Sequence, residues 1–462
     1  MNKIKFSTSL VALLSLTACS TMSQDGSLVN AEQHFQHYQQ VTQQYPINNQ
    51  WWLGYQDPQL NKLIEQALAN NINLAKAAIA VNTALYKANL VGANLVPSFS
   101  ASGQSSASKA VSSSSNVVST STSKINHQVG FNLSYTLDLW GRLRDAANAA
   151  EWEKKATEED LHAARLSLIN GVIQSYYNLA YFNDAIQLTE KNIQSYQEIN
   201  RILNQKFKVG LIDQLGVAQS QQAILSAQNV LLNLQTGKKT AEQMLRNLLN
   251  LAPNQPLITT APSLAKMKLQ GVDLNVPVSV IANRPDITAS LHRLQSAFKH
   301  LTSMEKSWFP TLTLGGSLSS TALKLSNVTN NPIGNGLIAI HLPFLDWQRV
   351  SNNIKISEEG YKLAKLNYEQ KITTALNEID GYYFAYQQSQ LSYDNLHKKH
   401  QSDKKVSQYY QQRYQQGIAE LREWLMALNT ERSSELALLE TKFTQIKNEN
   451  AVYQAMAGKA QR

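Results

Sequence analysis

One cysteine, Cys19, stands in 462 residues, so no disulfide can form within the chain. Proline is missing where it would interrupt: none lies between Pro97 and Pro253, and none follows Pro343. Proline breaks helix interiors and central strands, so two such tracts exclude a string of small loop-rich domains and call for long unbroken elements. Charged residues make up only 16% of the chain, and despite a net charge of +9 no Lys/Arg cluster marks a nucleic-acid patch. Beyond the first twenty residues no apolar run reaches the length of a membrane-crossing helix. A chain without one can cross a bilayer only as a closed barrel of strands.

The beginning of the chain reads as a leader. Lys3 and Lys5 precede an apolar stretch containing Val11 to Leu16, and Leu16-Thr17-Ala18-Cys19 has the form of a bacterial lipoprotein cleavage site. Residues 1–18 are expected to be removed, which lowers the charge from +9 to +7. Residues 19–50 would then form a lipid-anchored N-terminal segment, with palmitate among the acyl chains on Cys19 and no other cofactor. Ser20 in place of an aspartate favours sorting to the outer membrane. A chance cysteine after an ordinary signal is the alternative.

The remainder resembles itself. Leu95-Val-Pro-Ser-Phe-Ser parallels Trp308-Phe-Pro-Thr-Leu-Thr, Tyr135-Thr-Leu-Asp-Leu-Trp parallels Pro343-Phe-Leu-Asp-Trp, and Lys206-Phe-Lys-Val-Gly-Leu parallels Arg413-Tyr-Gln-Gln-Gly-Ile. The three landmarks keep one order at offsets of 213, 208 and 207 residues. That period is far longer than a solenoid repeat and predicts an internal twofold duplication, with halves at 51–270 and 271–462. Each half carries a β-hairpin, at about 96–139 and about 310–345. From Ile125 to Leu139 the apolar Val129, Phe131, Leu133, Tyr135, Leu137 and Leu139 alternate with small or polar residues, the period of a strand with two unlike faces. Leu312, Leu314 and Leu318 repeat the pattern, as do Ile338, Ile340, Leu342 and Phe344. Such strands suit either a membrane barrel or one sheet of a soluble sandwich. Trp140, Trp308 and Trp347, each where a strand meets a helix, favour the barrel, whose interfaces collect aromatic residues. The Ser-rich stretch from Ser112 to Ser123 reads as a solvated loop.

Long helices flank the hairpins. Between Glu151 and Phe207 the only glycine is Gly171, and Val172, Leu179, Ile186 and Ile193 recur every seven residues. Leu168, Phe182, Tyr196 and Leu203 interleave with them at coiled-coil spacing. A helix from Asp138 to Val209 would run about 105 Å. Gly210 ends it, and a return helix passes through Leu225, Leu232, Leu245 and Leu249. In the second half the outward run spans about Val350–Tyr414, Gly417 ends it, and the return covers Leu421–Met456.

Trp51-Trp-Leu-Gly-Tyr-Gln-Asp-Pro-Gln-Leu60, Tyr135-Thr-Leu-Asp-Leu-Trp-Gly-Arg-Leu-Arg144, Asn283-Arg-Pro-Asp286 and Val209-Gly-Leu211 resemble, in this order, motifs of the outer-membrane factor (TolC/OprM/NodT-like) family. The resemblance spans about residues 50 to 455 and implies a mixed α and β membrane protein. Three protomers would each give four strands to a twelve-stranded β-barrel, continuous with a long periplasmic α-helical barrel. It implies a homotrimer in the outer membrane, in contact with its lipids. The partners would be a periplasmic adaptor protein and an inner-membrane pump of resistance-nodulation-division type. The helical tips would dock the adaptor through Val209, Gly210, Leu211 and Gly417, although these glycines would be needed to turn the chain in any case. A periplasmic gate would involve Tyr414 and Glu423. Met426 and Ala419 depart from the family's acid and arginine there. Glu423 would either ring the pore or serve as a solvated helix residue.

No catalytic constellation stands out. Ser303-Met-Glu-Lys306 lacks the companion motifs of a penicillin-binding enzyme, Gly334-Asn-Gly336 leads toward a strand, and the pairs His34/His37 and His397/His400 lack further ligands. Asp138 and Asp346 read as a repeated pair of helix caps. The expected function is a passive exit duct for small toxic compounds in a three-part efflux pump. The exit channel of a type I protein secretion system and a lipid-anchored coiled-coil spacer are the alternatives.

Overall fold

A computed structural model describes residues 26–43, 47–109, 124–257, 263–264 and 267–460. Cys19 and the stretch Ser112–Ser123 lie outside the described residues. The helices described are α1 (Gly26–Gln43), α2 (Pro58–Asn70), α3 (Ile72–Gly92), α4 (Arg142–Lys208), α5 (Gln214–Leu249), α6 (Pro285–Glu305), α7 (Trp347–Gln415) and α8 (Leu421–Ala455). The strands are β1 (Ile47–Asn48), β2 (Ser98–Ser108), β3 (Lys124–Leu137), β4 (Thr311–Ala322), β5 (Ile333–His341) and β6 (Lys459–Ala460). Two compact units emerge, residues 1–37, 81–157 and 289–369 in one, residues 38–80, 158–288 and 370–462 in the other. Each unit draws segments from both halves of the chain, so the compact units cut across the 51–270 and 271–462 division read from sequence.

The first unit is built around an antiparallel sheet in the order β2-β3-β4-β5. Its register keeps the strand period intact across all four strands, with Phe99 opposite Leu133, Phe131 opposite Leu318 and Leu314 opposite Ile338. Apolar side chains therefore gather on one face, and Ser100, Asn132, Ser317 and Asn335 line up on the other. The outer edges of β2 and β5 have no strand partner among the described residues. Where the strands leave the sheet, Trp140 donates Nε1–H to the Pro310 carbonyl at 2.9 Å and stacks on Phe309 with ring centroids 4.9 Å apart. Trp347 is exposed.

The two strand-to-helix exits differ. Asp138 accepts the backbone N–H groups of Leu143 and Arg144, each at 2.9 Å, and Gly141 adopts φ +76°, so α4 begins at Arg142 and not at Asp138. Asp346 instead lies inside a 3-10 turn, Pro343–Asp346, and pairs with Arg349 at 3.2 Å. That turn runs straight into α7, leaving no extended residue to present a carboxylate to the helix end. The cap expected at Asp346 is thus found only at Asp138. Beneath the sheet, α6 is tied to the start of α4: Ser303 Oγ donates to the Arg142 carbonyl at 2.9 Å, Ser296 Oγ donates to that of Ala149 at 2.8 Å, and Lys306 forms an ion pair with Asp145. The Ser303/Lys306 pair noted in the sequence is engaged in these structural contacts.

The second unit has an apolar core of Trp51, Leu60, Ile64, Val172, Ile173, Leu179, Leu245, Leu249, Val280 and Ile281, all essentially without exposure. Each such side chain contributes about 1.5–3 kcal/mol by leaving water. Of the heptad positions on α4, Leu168, Val172, Leu179, Ile193, Tyr196 and Leu203 are buried, and Phe182 and Ile186 are half-buried. Set into this core is a polar knot. Glu449, at 0% exposure, accepts from Gly271 N at 2.5 Å, Tyr55 Oη at 3.2 Å and Tyr453 Oη at 3.2 Å. Asn450 accepts from Trp51 Nε1 at 3.0 Å and donates to Tyr55 Oη at 2.9 Å. Burial raises the pKa of Glu449 against the opposing pull of these donors, and it also raises those of Tyr55 and Tyr453.

Candidate functional site

The two helical hairpins of the second unit end in the same device. At the first tip Gly210 takes φ +73°, its N–H reaches the Phe207 carbonyl at 2.9 Å, and Leu211 N–H reaches that of Lys206 at 2.9 Å. At the second, Gly417 takes φ +75°, its N–H reaches Tyr414 O at 3.0 Å, and Ile418 N–H reaches Arg413 O at 2.9 Å. Both are glycine-terminated helix ends that satisfy the last carbonyls. Three residues after each glycine an acid starts the next helix. Asp213 accepts the N–H groups of Leu215 and Gly216 at 3.2 and 3.4 Å, and Glu420 forms a reciprocal capping box with Glu423. The glycines were legible in the sequence. The paired acids were missed, and their common spacing from the glycines was the available signal.

Behind the tips Tyr196, Ile199, Leu203, Ala223, Ile224, Leu425 and Leu428 form a buried cluster against which Ile212, Val217, Tyr414, Leu421 and Trp424 pack. Tyr196 Oη donates to Asn429 Oδ1 at 2.5 Å, tying α4 to α8. In front of the cluster, Val209 and Leu211 stand 70% and 72% exposed. Ile418 is exposed beside Gly417. The tips thus present aliphatic side chains to solvent from a rigidly capped base.

The expected gate residues are engaged within this unit. Tyr414 stacks on Trp424 with centroids 5.3 Å apart, and Lys206 Nζ lies 5.2 Å from the Tyr414 ring centre. The cation found on this tyrosine is therefore Lys206, from the other hairpin, and sequence reading missed it because the two residues are distant along the chain. Glu423 is exposed, and its carboxylate accepts the Glu420 N–H at 3.1 Å. Arg413 instead bonds Tyr409 Oη at 2.6 Å. Among the described residues no group of three or more His, Cys, Asp or Glu is placed to hold a metal. His397 faces Gln401 and His400 faces Ser434, so these two rings do not converge. Gly334 and Gly336 lie within extended β5, not in a loop opening a helix. No helix among the described residues is long and apolar enough to cross a membrane.

Residues 63–251 and 276–458 match the family described as outer membrane efflux protein. The chain belongs to that family. It is 50% identical over 456 residues to toxin and drug export protein A of Aggregatibacter actinomycetemcomitans, covering 98% of each chain. It is 27% identical over 446 residues to the cation efflux system protein CusC of Escherichia coli K12, covering 95% of this chain and 92% of that one. Among solved structures, the CmeC outer membrane channel of Campylobacter jejuni superposes with a TM-score of 0.80 at 27% identity, over 89% of this chain and 88% of that one. The fold is that of the TolC-like outer membrane channels, helices joined to a four-stranded sheet. As an outer membrane efflux protein, the chain belongs with channels of the Gram-negative outer membrane, not with enzymes.

Proposed function

We propose that this chain is the outer-membrane exit duct of a three-part efflux pump, working as a homotrimer anchored through lipid on Cys19. The observation that carries the reading is the four-stranded sheet, apolar on one face and open at both edges. Four strands cannot close a barrel, and an edge left open in hydrocarbon costs several kcal/mol for each unsatisfied backbone group. Two further copies would close twelve strands and put the apolar face against outer-membrane lipid. The helices point the same way. On α7, Ile356 and Leu363 are exposed seven residues apart, and so are Phe384 and Leu391. On α5, Leu225 and Leu232 repeat that spacing. Such seams await helices of other copies in an α-helical barrel. The two matched segments, 63–251 and 276–458, support duplication of one ancestral half.

In this reading Val209, Gly210, Leu211 and Gly417 dock a periplasmic adaptor, which links the duct to an inner-membrane pump of resistance-nodulation-division type. The substrates would be drugs or other small toxic compounds. Tyr414 and Glu423 lie at the tip that would close the periplasmic end. A second reading, exit of a secreted toxin, draws on the printed name of the 50% identical relative, which couples toxin with drug export. A photo-crosslinking side chain placed at Leu211 in living cells tests both. Capture of an adaptor that partners a resistance-nodulation-division pump is the expected result. Capture of a type I secretion adaptor would transfer the duct to protein export, and absence of any adaptor would remove the docking role.

A further inference from the structure

The register fixes which side chains share the polar face of the sheet. On β2 they are Ser98, Ser100, Ser102, Gln104 and Ser106, and opposite them on β3 lie Ser134, Asn132, Gly130, Gln128 and Asn126. On β4, Thr321, Ser319, Ser317, Gly315 and Thr313 continue the same rows, and Ile333, Asn335, Leu337 and Ala339 follow on β5. Neighbouring groups bond one another along these rows: Thr136 and Thr313 hydroxyls lie 3.2 Å apart, and Asn335 Nδ2 reaches Ser317 Oγ at 3.5 Å. Between the Ser106–Asn126 rung and the Thr311–His341 rung no Asp, Glu, Lys or Arg occupies this face. The ionisable residues on it stand at its two ends, His341 at one end rung and Lys124, opposite Ser108, at the other. Lys and Arg are plentiful elsewhere, 42 in the chain, so the exclusion belongs to this face and does not reflect a composition poor in cations.

We infer that this face, between its two end rungs, makes the outer section of the duct indifferent to the sign of the solute's charge. The inference rests on the barrel reading above, in which the polar face lines the lumen. Pore selectivity for cations or anions comes from rings of fixed charge or from strongly oriented carbonyls. Hydroxyl and carboxamide groups both donate and accept, and their dipoles reorient to solvate either sign. A ring of threefold-repeated Ser, Thr, Asn and Gln therefore favours neither. The substrate class this section admits is polar or amphiphilic solutes of either charge, and any preference for sign must be exerted at its rims, where Lys124 and His341 stand, at the tips or upstream of them.

Thiol labelling of the full-length protein in outer-membrane vesicles tests this, with the parent chain, whose one cysteine is Cys19, as background. Ser317→Cys lies on the polar face and Leu318→Cys on the apolar one. A cationic and an anionic methanethiosulfonate reagent of equal size are compared, each rate normalised to that with free cysteine. The expected result is rapid labelling of Ser317→Cys with a normalised rate ratio within about twofold of unity, and protection of Leu318→Cys. Adding Asn132→Asp beside it should raise the cation-to-anion ratio several-fold, which shows that the assay senses lumen charge. A ratio near tenfold at Ser317→Cys in the otherwise unaltered face overturns the inference and leaves the barrel standing. Equal labelling of Ser317→Cys and Leu318→Cys, or labelling of Leu318→Cys alone, overturns the barrel assignment itself.

Discussion

Glu449 shows what single residues contribute. A carboxylate without solvent exposure usually needs a cation in contact, yet this one is bonded by a backbone N–H and two phenols, and Lys459 acts on it only from beyond hydrogen-bond reach. Burial outweighs those donors and raises its pKa, so the folded chain favours the protonated acid. Its stabilising effect is complete below the ordinary carboxylate pKa of the unfolded chain and is lost as pH rises through the elevated folded value. Glu449→Gln keeps an acceptor for Gly271 and removes the charge, its amide N–H2 replacing the acceptor that Tyr55 Oη now meets. The variant's unfolding midpoint should stay flat over the pH range, from the ordinary carboxylate pKa upward, in which that of the parent falls. Parallel curves would assign the pH dependence elsewhere. Glu423 allows a similar separation of roles. Glutamine also serves at the third position of a capping box, so Glu423→Gln should preserve the second tip while altering cation block of single-channel current. Glu423→Ala should lose its half of the capping box as well and be less stable than Glu423→Gln. Unchanged block in Glu423→Gln would leave this residue with a capping role alone.

Elements were legible to the extent that their causes are local. The strand faces follow from a period of two that Val129 to Leu137 spell out, and the helix ends follow from Gly210 and Gly417, which take the required φ without strain. The start of α4 was misplaced by four residues because Asp138 acts on backbone groups five and six positions ahead, from outside the helix. What escaped reading altogether is non-local. Trp51 finds Asn450, and Lys206 finds Tyr414, across separations that no periodicity encodes. The tip glycines offer an element-scale test. A Cβ at Gly417 would meet nothing within 4 Å, so Gly417→Ala is charged only for its φ, roughly 1–2 kcal/mol. Gly417→Asn should cost less, since asparagine accepts the left-handed region. If the asparagine variant folds and traffics normally but confers drug sensitivity, the tip has a docking role beyond turning the chain. Unimpaired efflux in that variant would confine Gly417 to the turn.

At the scale of the whole molecule, one protomer is an unfinished object. Exposed Ile356, Leu363, Phe384 and Leu391 on α7 and the free edges of β2 and β5 have no counterpart among the described residues. Trimers that dissociate only on heating should appear when membranes are run unboiled on denaturing gels. Leu363→Glu should shift them to monomers while leaving the buried core untouched, and trimers of undiminished heat resistance would remove that seam from the subunit contact. The open sheet also bears on how such a protein reaches its membrane. An unclosed protomer faces a backbone desolvation penalty at both edges, so a lone copy is barred from the hydrocarbon however apolar its sheet face. If the duct is the trimer proposed above, insertion would wait for encounter with other copies, and its rate would climb more steeply than in proportion to supply. Modest changes in expression would be amplified into large changes in finished channels, and the surplus protomers below that threshold would be left in the periplasm as substrates for proteolysis.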